Sequence, residues 1–247
     1  MTTQPIKLDN KETVLQFLDS YDTFLFDCDG VLWSDYTKKF ANFGIENVTK
    51  DQIFSSSFAT AIYMKELQLF GPKNRQNLEE WDQQKTPFLP CDPSVKAVVA
   101  GLDTKINFHR LCVTFNYLKQ DDVKYVATNI DTTFPGKPYL QPGCGSMIEL
   151  LTKSSGRPEP PNCGKPSQLM LDTVFEAFPN LKREKCCMIG DRLNTDIKFG
   201  IDGKLGGQLL VLSGVEKESC LSDKTHGFEL PKYYADKLGD VYEHYSK

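Results

Sequence analysis

Apolar residues along this chain fall into short runs that polar and turn residues separate. Five runs have the length and composition of buried strands, at positions 23–26, 95–102, 125–127, 186–189 and 208–212. Between them, leucine, phenylalanine and other apolar side chains recur at helical spacing in 108–120 and 166–178. This alternation of strands and helices predicts an α/β fold with a largely parallel sheet.

Two stretches interrupt the alternation and indicate domain seams. Residues 71–93 are polar and punctuated by proline, and residues 135–145 are dense in proline and glycine. The strand-helix-strand block between them is predicted to form a small separate domain. At the other end of the chain, residues 233–245 are predicted to form an amphipathic helix that packs against the rest of the protein.

Composition narrows the class of protein. With 40% hydrophobic and 25% charged residues, the 247-residue chain has the composition of a soluble globular protein. A net charge of -4 offers no basic surface for nucleic acid or an anionic membrane, and no apolar run is long enough to span a bilayer. The first residues lack the apolar core of a secretory signal, and the eight cysteines contain no CxxC pair. These features predict a cytoplasmic protein and leave a nuclear location open.

The first segment that carries chemistry is FLFDCDGV, at 24–31. Asp27 and Asp29 follow an apolar strand at positions i and i+2, immediately before Gly30. That spacing can direct both carboxylates towards a pocket beyond the carboxyl end of the strand, where open α/β sheets bind ligands. Taken alone, the segment could also be an acidic transition from a strand to a turn.

Two later segments add further charged groups. In CCMIGDRLNTD, at 186–196, Asp191 and Asp196 follow another apolar strand, although aspartate there is also a common helix cap. In NCGKP, at 162–166, Lys165 comes directly before a predicted helix. A lysine next to the positive end of a helix favours an anion, and the alternative is an ordinary loop.

Together, and in this order, the three segments resemble the motifs of the haloacid dehalogenase (HAD) phosphatases: DxDG(T/V), the motif lysine and GDxxxTD. The segments TNID at 128–131 and PGCGSM at 142–147 narrow the resemblance to the 4-nitrophenylphosphatase and phosphoglycolate phosphatase subfamily. The resemblance covers 21–33 and nearly everything from 95 to 214. It implies a Rossmann-like core, at 1–68 and 140–247, and a smaller inserted α/β cap domain at 69–139 that is incomplete here.

The resemblance also implies a role for each charged residue. Asp27 would be the nucleophile that forms an aspartyl-phosphate. Asp29 would protonate the departing alcohol and then take a proton from the hydrolytic water. Mg²⁺ would be held by the carboxylates of Asp27 and Asp191 and the backbone carbonyl of Asp29. Lys165 would offset the negative charge, and Asp196 would orient the surroundings of the metal rather than bind it.

Substrate contacts are implied at two further places. Gly30 would line the phosphate pocket together with Lys165, and Asn129 and Asp131 would lie on the cap loop that faces the substrate. An Asn/Asp turn after the strand is the alternative for those two residues. The expected substrates are small phosphorylated metabolites such as 4-nitrophenyl phosphate and 2-phosphoglycolate-like compounds, with no nucleic-acid or membrane partner. A homodimer through the cap stays open.

The sequence departs from the family pattern in two places. The second family motif, a strand that ends in Thr or Ser, is missing after Trp33, and the first elements of the cap are missing near 71–77. The chain could join across unobserved residues, come from an incomplete gene model, or carry a true internal deletion. The missing motif keeps open a non-catalytic phosphate-binding or metal-binding protein, and a different HAD chemistry is a further alternative.

Overall fold

The computed structural model describes residues 4–27, 49–67, 91–135, 139–223 and 225–246. Asp29 and Gly30 lie outside these residues. By their internal contacts the residues fall into two compact units, which are Met1–Ile53 with Lys165–Lys247, and Phe54–Gly164. The predicted core and cap have other boundaries, at 68/69 and 139/140. Grouping by contacts does not test the family's division into core and cap, so that assignment stays a prediction.

The first unit is an α/β layer built on a five-stranded sheet. Its strands are β1 (Ile6–Lys7), β2 (Thr23–Phe26), β7 (Cys186–Gly190), β8 (Gly207–Val211) and β9 (Tyr233–Ala235). Its helices are α1 (Lys11–Ser20), α5 (Gln168–Ala177), α6 (Lys198–Asp202) and α7 (Gly239–Tyr245), with a π-helical turn at Leu193–Ile197 and 3-10 turns at Lys50–Gln52, Arg183–Lys185 and Glu218–Leu221. The strand order is β1-β9-β8-β7-β2, and every neighbouring pair is parallel. The predicted α/β class with a mostly parallel sheet is therefore confirmed.

Strand β7 is buried on both faces. Cys187 and Ile189 pack into a cluster with α1, whereas Cys186 and Met188 point to the opposite face and pack against α5 and α6. Alternate residues of a strand face opposite sides, so a strand covered on both sides must be apolar throughout. This is the physical reason why the sequence shows a continuous apolar run here instead of an alternating one.

Helix α1 covers one face of this sheet and was not predicted. Asn10 caps its first turn by accepting a hydrogen bond from the backbone N–H of Thr13 at 3.0 Å. Val14 and Phe17 on its inner side are buried, and the Phe17 ring meets Tyr21 and Tyr233 edge-to-face. The helix therefore fixes the start of β2, the strand that leads to Asp27.

The second unit contains two small sheets. Strands β3 (Ala97–Ala100) and β4 (Lys124–Ala127) pair in parallel, and Asn162 adds a parallel bridge to Ala127. Strands β5 (Thr133–Pro135) and β6 (Leu140–Pro142) form an antiparallel hairpin. Its described residues also form helices α2 (Ser56–Glu66), α3 (Phe108–Leu118) and α4 (Cys144–Ser155). The stretch at 135–145, predicted as a seam, thus contains part of a hairpin and the start of α4.

One predicted element is wrong in part. The spacing at 233–245 predicts a single amphipathic helix, but Tyr233–Ala235 is strand β9 and the helix begins only at Gly239. Tyr233 and Ala235 are buried next to β8, and this pairing outweighs the helical spacing of the apolar side chains. Within the described ranges, no helix is both long and apolar enough to cross a membrane.

Candidate active site

The register of the sheet brings two aspartates to the same edge. Phe26, the last residue of β2, is paired with Ile189 near the end of β7, and the backbone N–H of Asp27 continues the ladder to the Ile189 carbonyl at 2.9 Å. Asp191 follows the last residue of β7 directly. Because the two strands are parallel, both carboxylates leave the sheet at its carboxyl edge.

Lys165 joins this pair from the segment before α5. Its ammonium donates hydrogen bonds to Oδ1 of Asp27 and, at 2.7 Å, to Oδ1 of Asp196. The predicted helix start at Pro166 is wrong, because α5 begins at Gln168 with Ser167 as its cap. Pro166 and Ser167 therefore lie in the turn that carries Lys165 to the sheet edge.

Asp196 is almost fully buried, with 1% of its side chain exposed, and both of its oxygens have partners. Oδ1 accepts from Lys165, while Oδ2 accepts from the backbone N–H groups of Asp191 and Arg192, each at 3.1 Å. This close return of the π-helical turn requires Gly190, because a Cβ there would lie 2.3 Å from Cβ of Asp196. Asp196 thus holds both the lysine and the backbone of Asp191, and its role in orienting the surroundings of a metal stays a prediction.

The loop after β8 holds Asp191 from the other side. The backbone N–H of Val215 donates to Oδ2 of Asp191 at 2.9 Å, and the N–H of Glu216 donates to its backbone carbonyl at 3.2 Å. A Cβ at Gly214 would lie only 2.0 Å from the same Oδ2. The three sequence motifs do not include Gly214, Val215 or Glu216. In the sequence, the glycine after the strand at 208–212 indicates a turn but does not indicate a contact with Asp191.

The charges of the site fix the state of Lys165. Burial disfavours its ammonium, but the carboxylates of Asp196 and Asp27 outweigh burial and raise the pKa of Lys165 above its ordinary value. Lys165 is therefore a permanent cation near neutral pH, suited to stabilising negative charge and not to transferring protons. Burial raises the pKa of Asp196, with Asp27 and Asp191 acting in the same direction and Lys165 opposing them.

The donor set fits a small divalent cation. Carboxylate oxygens of Asp27, Asp191 and Asp196 lie within 4.8 Å of one another. Since Asp196 has both oxygens engaged within the protein, Asp27 and Asp191 are the residues of this cluster, among those described, that could hold the ion. Few carboxylates, with water and phosphate completing the shell, is the arrangement that Mg²⁺ prefers.

Four other site residues were predicted from the sequence. Asp29 and Gly30 lie outside the described residues. Asn129 and Asp131 belong to the second unit, in the turn after β4, where Thr128 donates to Asn129 and Asn129 donates to Asp131, both at 3.0 Å. This chain of side-chain hydrogen bonds gives the turn a fixed shape, and its role in substrate binding stays a prediction.

Comparison with known proteins gives consistent matches. The family model described as haloacid dehalogenase-like hydrolase matches residues 21–203, which is more than half of the chain. The 4-nitrophenylphosphatase of Schizosaccharomyces pombe is 32% identical over 299 aligned positions, covering 96% of this chain and 98% of that protein. Phosphoglycolate phosphatase 2 of Arabidopsis thaliana is 34% identical, covering 90% and 93%. The crystal structure of a 4-nitrophenylphosphatase from Thermotoga maritima superimposes with a TM-score of 0.69 at 26% identity, covering 95% and 88%.

These alignments also bear on the missing segments. At least 52 of the 299 positions aligned with the Schizosaccharomyces pombe protein, which is 299 less the 247 residues of this chain, have no counterpart here. The relatives therefore carry internal segments that this chain lacks. A join across unobserved residues, an incomplete gene model and a true internal deletion would each leave this difference, so all three explanations stay open.

Proposed function

Since this chain belongs to the haloacid dehalogenase-like hydrolase family, we propose that it hydrolyses small phosphate monoesters in a Mg²⁺-dependent reaction. The observation that carries the proposal is the cluster of Asp27, Lys165, Asp191 and Asp196 at the carboxyl edge of the sheet. Relatives named 4-nitrophenylphosphatase and phosphoglycolate phosphatase indicate the substrate class, namely small organic phosphates.

In the proposed reaction, Asp27 attacks phosphorus. Its side chain is 32% exposed, so a substrate can reach it, and its Oδ1 accepts a hydrogen bond from the ammonium of Lys165. A new bond forms between the Asp27 carboxylate and phosphorus, and the bond from phosphorus to the alcohol oxygen breaks. Asp29 donates the proton that the departing alcohol needs.

The second step returns Asp27 to its free form. Asp29 takes a proton from water, the water oxygen forms a bond to phosphorus, and the bond from phosphorus to Asp27 breaks, so that inorganic phosphate leaves. Lys165 offsets the charge of Asp27 and of the phosphoryl oxygens in both steps. A Mg²⁺ ion held by Asp27 and Asp191 would supply further positive charge to the transferring group and orient it.

The test is phosphate release from 4-nitrophenyl phosphate and from 2-phosphoglycolate, measured with Mg²⁺ and with EDTA. The variant Asp27→Asn removes the nucleophile. Asp22→Asn makes the same change on an exposed aspartate just before β2, at the opposite end of the strand, and serves as the matched control.

We expect release that requires Mg²⁺, persists in Asp22→Asn and is lost in Asp27→Asn. A folded protein that binds Mg²⁺ and phosphate but releases none would instead favour the non-catalytic alternative. The internal segments that the relatives have and this chain lacks are the observation in favour of that alternative.

A further inference from the structure

We infer that the loop at 213–217 is a positioning element that orients Asp191 for its metal ion. The loop follows β8 and contains Ser213, Gly214, Val215, Glu216 and Lys217. The inference rests on the proposed function, because it concerns Asp191 as a metal ligand. No part of the loop belongs to the three motifs from which the site was predicted.

The loop contacts Asp191 at both its side chain and its backbone. Two consecutive N–H groups, of Val215 and Glu216, donate to Oδ2 and to the carbonyl of Asp191 at 2.9 and 3.2 Å. The Val215 side chain itself is 51% exposed, so Val215 acts through its amide and not through packing. The loop therefore fixes both the carboxylate and the chain that carries it.

The loop engages one oxygen of the Asp191 carboxylate. Among the described residues, the hydrogen bond to the Asp191 carboxylate, from the Val215 N–H, goes to Oδ2, which leaves Oδ1 available to a cation. A carboxylate held by one oxygen cannot rotate freely, so less conformational freedom is lost when the ion binds. The loop thus prepares Asp191 for the metal before the metal arrives.

The loop approaches Asp191 too closely for any side chain at position 214. A Cβ on Gly214 would lie 2.0 Å from Oδ2 and 2.5 Å from Cβ of Asp191. The loop is tied in place by its own contacts, since Lys217 donates to the Gly214 carbonyl at 3.1 Å and Glu216 accepts from the Leu193 N–H at 3.4 Å. Any residue other than glycine would have to push the carboxylate away or move the loop.

The experiment measures Mg²⁺ binding to the metal-free full chain by isothermal titration calorimetry, without substrate. Gly214→Ala introduces the Cβ, and Val215→Pro removes the N–H donor. Val215→Ala keeps that N–H, and Gly239→Ala adds a Cβ whose nearest contacts, at 3.7 and 3.8 Å, are ordinary. Unfolding in urea with EDTA, measured on every variant, separates lost metal affinity from lost stability.

We expect Gly214→Ala and Val215→Pro to weaken Mg²⁺ binding about 10- to 100-fold, as is typical when a group that orients a metal ligand is removed. Val215→Ala and Gly239→Ala should bind as the wild type does. Loss of stability with unchanged Mg²⁺ affinity in the first two variants would overturn the inference, since a merely structural loop behaves in that way.

A measurement on the wild type covers the case in which these variants do not fold. The ¹⁵N amide resonance of Val215 should shift during a Mg²⁺ titration and saturate with the calorimetric dissociation constant. A resonance that does not move while Mg²⁺ binds would overturn the inference and leave the proposed function intact. A wild-type protein that binds no Mg²⁺ would overturn both the inference and the proposed function.

Discussion

Replacing Asp196 with Asn tests whether this carboxylate holds the site together. The side chains are nearly identical in shape, so the change affects charge and hydrogen bonding and leaves packing almost intact. The carboxylate accepts from three donors: Lys165 at 2.7 Å and the N–H groups of Asp191 and Arg192 at 3.1 Å each. An asparagine has one acceptor oxygen and one NH₂ group, so it cannot accept from both sides.

Both orientations of the amide are unfavourable. With the oxygen towards Lys165, the NH₂ group faces the two part-buried N–H donors of Asp191 and Arg192, and an unsatisfied donor of this kind costs about 1–3 kcal/mol when it is shielded from water. With the amide reversed, the NH₂ group faces the ammonium, which then keeps Asp27 as its one remaining carboxylate in this cluster. Breaking a buried ion pair costs about 3–5 kcal/mol. We therefore expect Asp196→Asn to lower the free energy of unfolding by roughly 2–5 kcal/mol.

The assay is urea unfolding of the full chain in EDTA, so that no metal contributes. The control is Asp172→Asn, which removes a carboxylate that is 56% exposed and paired with Arg183 at 2.6 Å. An exposed pair of this kind contributes about 0–1 kcal/mol. Equal losses for the two variants would refute the reasoning, because Asp196 would then be no more important than a surface charge.

Three further predictions concern other parts of the protein. Gly190→Ala should destabilise the protein by about 1–3 kcal/mol in the same assay, since its Cβ would lie 2.3 Å from Cβ of Asp196; unchanged stability would contradict the close approach of the two segments. Burial raises the pKa of the Cys187 thiol to about 12 and raises the pKa of the Tyr21 hydroxyl. Both groups hold their protons more tightly when folded, so their stabilisation is complete below the unfolded pKa of about 8.5 for Cys and is lost as the pH rises towards the folded value. The free energy of unfolding should therefore fall as the pH rises from about 8.5 towards about 12, and a flat profile would argue against it. In the native protein, iodoacetamide should modify the half-buried Cys112 before the buried Cys187, as measured by peptide mass spectrometry; the reverse order would be inconsistent with the fold.

Much of the sheet could be predicted because its strands are buried on both faces. The run at 186–189 is apolar at every position since β7 has helices on both sides, and it lies one residue short of the observed strand. Strand β9 is the contrary case. Its sequence around Tyr233 has helical spacing of apolar residues, and the pairing with β8, twenty-odd residues earlier, is what makes it a strand. Pairing of that kind cannot be read from local periodicity.

The candidate site, like the sheet, could be predicted from the sequence only in part. Four charged residues could be identified because they lie in motifs with fixed spacing, namely Asp27, Lys165, Asp191 and Asp196. Parallel pairing of β2 with β7 then brings Asp27 and Asp191 to the same edge of the sheet. The requirement for glycine at 214 could not be predicted in this way. It is imposed by the carboxylate of Asp191, which comes from a different segment, so the signal lies in the tertiary contact and not in the local sequence.

The most direct test of the central claim is to trap a phosphoryl group on Asp27. The wild type is mixed with a small phosphate monoester and Mg²⁺, quenched in acid during turnover, digested and analysed by mass spectrometry. The account predicts a phosphoryl adduct on the peptide that contains Asp27, which hydroxylamine removes and which is absent from Asp27→Asn. Turnover with no adduct on that peptide, or turnover that persists in Asp27→Asn, would contradict the account.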